Sequence, residues 1–218
     1  AARAMKNMGL SRLLLVEPRL FPHHEADARA SGAGDILEKA QVVATLEDAL
    51  VGCNLVLGTS ARDRRIPWPL LDPRECGSKV VEEAAQGAEI ALVFGREDSG
   101  LTNEELQRCH YHVHIPSDPE FSSLNLGAAV QVLSYEVRMA WLAAEGQPSK
   151  VEKDEVASTK SGELATMDEL ERFYEHLEQT LVAIEFLDPE KPRHLMARLR
   201  RLYGRSSVSR AEMNILRG

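Results

Sequence analysis

Between Leu13 and Ile115 the chain repeats one pattern: a short apolar run, a polar turn, a helical stretch, and another apolar run. The runs are Leu13-Leu14-Leu15-Val16, Leu55-Val56-Leu57, Ile90-Ala91-Leu92-Val93-Phe94 and the stretch ending Val113-His114-Ile115. Short continuous apolar runs read as strands covered on both faces, and strands separated by helices pair in parallel. The pattern predicts an α/β fold built on a mainly parallel sheet. Helices are expected to close near Leu50 and to run over Lys79 to Ala85, and Leu126 to Ala143 predicts a long helix with apolar residues on nearly all faces. A helix that apolar is expected to be buried, under the sheet or in a subunit interface.

The pattern stops after residue 145. Residues 146 to 163, GQPSKVEKDEVASTKSGE, hold almost no large apolar side chains and have the composition of a linker. Beyond it Leu170, Phe173, Leu177, Leu181 and Ile184 recur at helical spacing up to Asp188-Pro189, and Leu195, Met196, Leu199, Leu202 and Tyr203 mark a second helix. This divides the chain into a domain at 1–145, a linker at 146–163 and a small helical extension at 164–218. The opening AARAMKNMG reads as a helix in progress, without a cap or initiating Met, closed by Gly9 at the C′ position. A segment upstream, including a first strand, is expected to be missing.

The 218 residues suffice for one sizeable core plus an appendage. No apolar run approaches the roughly 18 to 20 residues needed to span a bilayer. Cys53, Cys76 and Cys109 are odd in number and widely spaced, which fits neither a disulfide framework nor a CxxC metal site and points to a reducing, cytoplasmic compartment. The net charge of -8 argues against a nucleic-acid partner. Its distribution argues the other way. From Lys191 onward, Arg193, Arg198, Arg200, Arg201, Arg205, Arg210 and Arg217 face only Glu212, while the preceding segment is acidic from Glu163 to Glu190 except for Arg172. Such asymmetry fits a polyanion surface, or equally a helix pair matching an acidic face to a basic one.

Three polar turns follow apolar runs, at the strand ends where open α/β sheets place ligands. The first is Gly58-Thr59-Ser60-Ala61-Arg62-Asp63-Arg64-Arg65, whose small residues admit a ligand to the backbone and whose arginines can engage phosphate. In isolation it also reads as a plain polar loop. The second, Phe94-Gly95-Arg96-Glu97-Asp98-Ser99-Gly100, runs into a helix start at Thr102 or Asn103 with Glu105 near N3. It lacks both GxGxxG and the P-loop pattern, which disfavours a dinucleotide or nucleoside triphosphate held in the usual way. The third, Ser122-Ser123-Leu124-Asn125-Leu126-Gly127, opens the long apolar helix.

FGREDSGLTNEEL followed by SSLNLGAAVQVLSYE resembles the second and third signature motifs of the TrmH-like, SPOUT-class RNA methyltransferases, and AARAMKNMG resembles the end of the first. LDPREC, CHYHV, VRMAWLA and the tail segments ERFYEHLEQTL and NILRG are similar to a tRNA-modifying branch of that class, so the resemblance covers nearly the whole chain. It implies an α/β fold with a C-terminal trefoil knot, dimerisation around the knot, and a small α-helical extension. It also implies S-adenosyl-L-methionine as methyl donor, without a metal, and 2′-O-methylation of tRNA ribose at cytidine or uridine 32. Donor contacts carried over by motif are Thr59, Ser60, Ala61, Gly95, Ile115, Ser122, Ser123 and Leu124. The upstream Asn-x-Gly of the first motif does not occur in the chain, and its loss would leave an inactive enzyme.

On the family pattern Arg3 stands beside the reacting 2′-oxygen, with Glu97, Ser123 and Asn125 shaping the site and Arg64 as a phosphate ligand or second cation. Arginine is a poor base, so Arg3 is read as a cation that stabilises the alkoxide. Ribosomal RNA as substrate, base methylation, and a catalytically silent knotted RNA-binding module remain alternatives. His110, His112 and His114 alternate on one strand face and read as ordinary strand histidines sooner than as metal ligands. Pro67-Trp68-Pro69 reads as a stiff turn sooner than as a base-stacking site, and the helix around Arg198 is the candidate tRNA surface.

Overall fold

In the computed structural model, which describes residues 1–60, 68–146 and 164–217, every strand pairing is parallel. Strands β3 (Leu55–Thr59), β4 (Leu70–Leu71), β5 (Ile90–Val93) and β6 (Tyr111–Val113) form one sheet in the order β4-β6-β3-β5. Its central strand β3 is buried from Leu55 to Gly58, as an uninterrupted apolar run requires. Strand β1 (Leu14–Val16) does not join this sheet; it pairs with β2 (Gln41–Val43) in a separate two-stranded ladder. Both β2 and β4 escape a reading of apolar runs, because they are two or three residues long and partly exposed.

The helices follow local signals. Helix α1 (Ala2–Asn7) ends before Gly9, whose φ of +81° is the left-handed C′ conformation expected of it. Helix α2 (His24–Ala30) and helix α3 (Gly34–Glu38) lie between β1 and β2, and α4 (Leu46–Leu50) starts with a capping box of Thr45 and Asp48. Helix α5 (Pro73–Ala84) has Asp72 and Glu75 in the same roles with proline at its start. Helix α6 (Asn103–Gln107) is capped by Thr102 and Glu105.

The long helix α7 (Leu126–Glu145) packs against α5 and α1. Gly77 of α5 makes the approach possible, since a β-carbon there would stand 2.6 Å from the Glu136 carbonyl oxygen. Val130, Leu133, Ser134 and Val137 of α7 are buried, whereas Tyr135, Met139, Trp141 and Leu142 remain exposed. Within this chain the expected burial of α7 is therefore met on one face only.

The extension comprises α8 (Met167–Ala183), α9 (Leu195–Gly204) and a third helix, α10 (Arg210–Arg217). Met167, Leu170, Phe173, Tyr174, Val208 and Met213 share one apolar cluster with Leu50, Cys53, Val56 and Cys109 of the α/β part. Backbone bonds fasten the seam: Met167 N–H donates to Cys53 O at 2.8 Å, and Gly52 N–H donates to the Asp168 carboxylate at 3.3 Å. The three cysteines are buried and free, and burial pushes the Cys76 and Cys109 thiols up to about 12. Among the described residues no helix is long and apolar enough to cross a membrane.

Candidate functional site

The ends of β3, β5 and β6 are stitched to one another, and the turns that leave them converge. Ser60 N–H donates to Val113 O at 3.0 Å, and the Thr59 hydroxyl donates to Val93 O at 3.2 Å, which binds the first turn to both neighbouring strands. His114 adds a third tie, its Nδ1–H donating to Ser60 O at 3.2 Å.

The second turn is closed by backbone bonds between Arg96 and Gly100, at 3.2 and 2.8 Å. Gly100 has φ +71°, and a β-carbon at Gly95 would lie 2.1 Å from the Gly100 carbonyl carbon. Both glycines are therefore demanded by geometry. Arg96 makes two bonds to the Glu105 carboxylate, at 3.0 and 3.1 Å, while Glu105 also caps α6 through Thr102. Hydrogen bonding to Glu105 raises the Arg96 pKa; burial opposes the Glu105 charge, yet the bonds from Arg96 and Thr102 together outweigh it and hold that carboxyl below its ordinary value. Asp98 accepts from the Ser99 hydroxyl at 2.9 Å, and this bond lowers its pKa.

Asn125 joins the third turn to the second. Its Oδ1 accepts from Gly127 N–H and Ala128 N–H at 2.9 and 3.3 Å, capping α7, and its Nδ2 donates to Glu97 Oε1 at 2.5 Å. The result is a cavity of about 320 Å³ between the three turns. Thr59, Ser60, Gly95, Ile115, Ser122, Ser123 and Leu124, all expected from the sequence, line it together with Glu97. Its lining also includes Phe94, Leu101, Val113, Leu126 and Ala129. Phe94 and Leu101 flank the second turn, while Val113 and Ala129 belong to the CHYHV and SSLNLGAAVQVLSYE segments without having been singled out as ligand contacts.

Arg3 does not line the cavity. It lies on the exposed side of α1, whose start abuts the first turn of α7: the Ala1 nitrogen stands 3.8 Å from the position of a β-carbon on Gly127. Ala61 and Arg64 fall outside the described residues, as does Pro67.

The remaining polar candidates are engaged in the fold. His110 is buried, its Nδ1 accepts from Val56 N–H at 3.0 Å, and burial, aided by the Lys79 cation, lowers its pKa from 6.5 to about 4. His112 bonds Leu106 O at 3.0 Å and stacks on Trp68, with ring centroids 5.3 Å apart. The Trp68 indole donates to Cys109 O at 2.8 Å, so this ring is part of the packing. Among the described residues no cluster of His, Cys, Asp or Glu could hold a metal.

On the extension, Arg200 makes bonds of 2.6 and 2.8 Å to Glu171 and lies over Tyr174, at 4.5 Å from the ring centre. Burial disfavours its charge, but Glu171 outweighs burial and raises its pKa. Arg210 pairs with Glu169 at 2.9 Å. The matched-face reading of the acidic and basic segments thus holds for these two arginines. Among the described residues Arg193, Arg198, Arg201, Arg205 and Arg217 make no ion pair.

Residues 1–135 match the model of the SpoU rRNA methylase family, and residues 168–218 match that of the C-terminal domain of the tRNA methyltransferase TrmJ. The chain is 72% identical over 218 residues to the tRNA (cytidine/uridine/adenosine-2′-O-)-methyltransferase TrmJ of Pseudomonas aeruginosa, covering all of this chain and 85% of that protein. It is 57% identical over 217 residues to the tRNA (cytidine/uridine-2′-O-)-methyltransferase TrmJ of Klebsiella pneumoniae, with 86% of that protein covered. The crystal structure of TrmJ from Z. mobilis superposes with a TM-score of 0.83 at 32% identity, covering all of this chain and 89% of the other.

Proposed function

The chain belongs to the SpoU methylase family and, within it, to the TrmJ methyltransferases, and from that premise we propose that it transfers a methyl group from S-adenosyl-L-methionine to a ribose 2′-hydroxyl of tRNA, at cytidine or uridine 32. The observation that carries the proposal is the convergence of the three turns on one cavity.

The cavity suits this donor in size and in chemistry. About 320 Å³ accommodates a nucleoside-sized ligand. Phe94, Leu101, Ile115, Leu124 and Leu126 provide an apolar wall for a purine, and the small residues at Ser60, Gly95 and Ser122 leave backbone groups within reach of polar ligand atoms. Arg96, Glu97 and Asp98 are held by Glu105, Asn125 and Ser99, so they enter the site with their positions set in advance. When bound, the donor supplies an electrophilic methyl carbon on its sulfonium.

The residues then have distinct tasks. Ser123 and the Glu97–Asn125 pair fix the wall against which the ribose is aligned for an in-line approach. Arg3, at the edge formed by α1 and the start of α7, acts as the cation that stabilises the developing 2′-alkoxide. Arg64 serves as a phosphate ligand or second cation, and Ala61 adds a backbone contact to the donor. The exposed α7 face of Tyr135, Met139 and Leu142 supports dimerisation around a trefoil knot. Residues 1–145 form the methyltransferase domain, 146–163 the linker and 164–218 the tRNA-binding extension, working in the cytoplasm where tRNA is modified.

Alkaline digestion of the product RNA tests the proposal. A 2′-O-methyl group removes the nucleophile for strand cleavage, so one phosphodiester should resist alkali, and its position identifies the nucleotide. A methylated product that alkali cleaves completely would indicate base methylation. Donor binding without transfer to any tRNA would favour a silent RNA-binding module, and transfer to ribosomal RNA alone would move the substrate.

A further inference from the structure

We propose that Phe121 is the platform on which the target nucleobase stacks, an inference that rests on the reading of the neighbouring cavity as the donor site of a tRNA methyltransferase. Phe121 is 82% exposed, the highest value among the large apolar side chains described. A lone exposed apolar residue needs no explanation in itself; this one differs in how it is held. Phe121 N–H donates to Asp118 O at 3.0 Å, Glu120 N–H donates to the Asp118 carboxylate at 2.8 Å, and the Ser117 hydroxyl donates to Ser122 O at 3.0 Å. The backbone is thus braced on both sides of the ring.

Ser122, Ser123 and Leu124, the next residues along the chain, line the cavity, whereas Phe121 does not. Phe121 is thus an exposed aromatic residue that directly precedes the cavity lining in the chain without being part of it. An enzyme that methylates a ribose must hold that nucleotide beside the donor, and its base is the flat apolar group that arrives there. Asp118 and Glu120 stand in the same turn as Phe121, and their negative charge disfavours phosphate there, which leaves a base as the part of the RNA this turn suits best. Stacking reads the π-face of a base and tolerates its identity. Tolerance of that kind agrees with relatives that act on cytidine and uridine and, in one case, adenosine as well.

The test uses the full chain and a tRNA transcript that the wild-type protein methylates. Phe121→Ala and Phe121→Leu should lower kcat/KM for tRNA about tenfold, the loss expected for one base–aromatic stack. Phe121→Trp should retain it, and donor affinity measured by calorimetry should not change in any of the three. With 2-aminopurine at the target position, fluorescence should be quenched on binding to the wild type and not to Phe121→Ala. An unchanged kcat/KM in Phe121→Ala, a leucine variant as active as the tryptophan one, or an alanine variant whose defect tracks dissociation of an oligomer in sedimentation would overturn the assignment. Failure of the wild type to methylate any tRNA would instead remove the function itself, so the two failures are distinguishable.

Discussion

Each charged side chain lining the cavity has a neighbour that holds it: Arg96 has Glu105, Glu97 has Asn125, and Asp98 has Ser99. The extension is organised differently. Of its arginines, Arg200 and Arg210 are paired with Glu171 and Glu169, while Arg193, Arg198, Arg201, Arg205 and Arg217 make no ion pair among the described residues. On the proposed function the contrast separates two kinds of recognition. A small ligand is met by fixed backbone and pre-paired groups, whose geometry costs nothing further on binding. A polyanion is met by cations that exchange solvent ions for phosphates, with little demand on their exact geometry.

Arg3→Ala bears on this contrast most strongly, because the proposed role of Arg3 belongs to an exposed residue of α1 that does not line the cavity. Donor affinity should stay unchanged by calorimetry while single-turnover transfer falls by roughly 10²- to 10³-fold, the loss typical of a missing transition-state charge. Unchanged turnover would take Arg3 out of the mechanism. Gly95→Ala should act at the binding step. A methyl group forced against Gly100 and Leu101 must open the second turn, and donor affinity should drop by about 100-fold. Near-normal affinity would mean that the turn is not rigid.

His110 probes the seam where the two regions meet, since its ring lies 3.7 Å from the position of a β-carbon on Gly204 of α9. Its pKa falls from 6.5 to about 4 on folding, so between those values the unfolded chain binds a proton that the folded one does not. Stability contributed by the neutral ring is therefore complete above about pH 6.5 and is lost as pH falls toward 4, by on the order of 3 kcal/mol in total. Urea denaturation at several pH values checks this, and a midpoint independent of pH over that range would contradict it. The smallest effect is expected from the combined Arg198→Ala, Arg201→Ala and Arg205→Ala variant. Affinity for tRNA should weaken about tenfold and the slope of log K against log salt should flatten by about three, with donor binding unaffected. A salt slope equal to that of the wild type would show that these arginines do not meet phosphate.

Legibility in the sequence followed the range of the interactions involved. The second turn could be read almost completely, because Gly95, Gly100, Thr102 and Glu105 act on one another within ten residues. The start of α7 was readable for the same reason, through Asn125 and the amides two and three positions on. Strands β2 and β4 were not, being too short to carry a pattern of their own; their partners β1 and β6 define them. The Arg-rich segment was ambiguous because charge along a chain does not say which arginine will find a carboxylate 29 positions away, as Arg200 finds Glu171.

Local chemistry was therefore determined by the sequence: where the helices are capped, which turns need glycine, and which residue types stand at the strand ends. Tertiary structure decided what those turns do together. Strand order β4-β6-β3-β5 brings the ends of β3, β5 and β6 side by side, so that residues as far apart in the chain as Thr59 and Ala129 enclose one cavity. It also decided that the extension shares a core with the α/β part, where Phe173 and Met167 join Val56 in one apolar cluster that no local pattern announces. The physical reason is the same in both cases. Caps and turns are short-range hydrogen-bond problems solved within a few residues, whereas apolar burial is indifferent to sequence separation and takes its partners from wherever the fold delivers them.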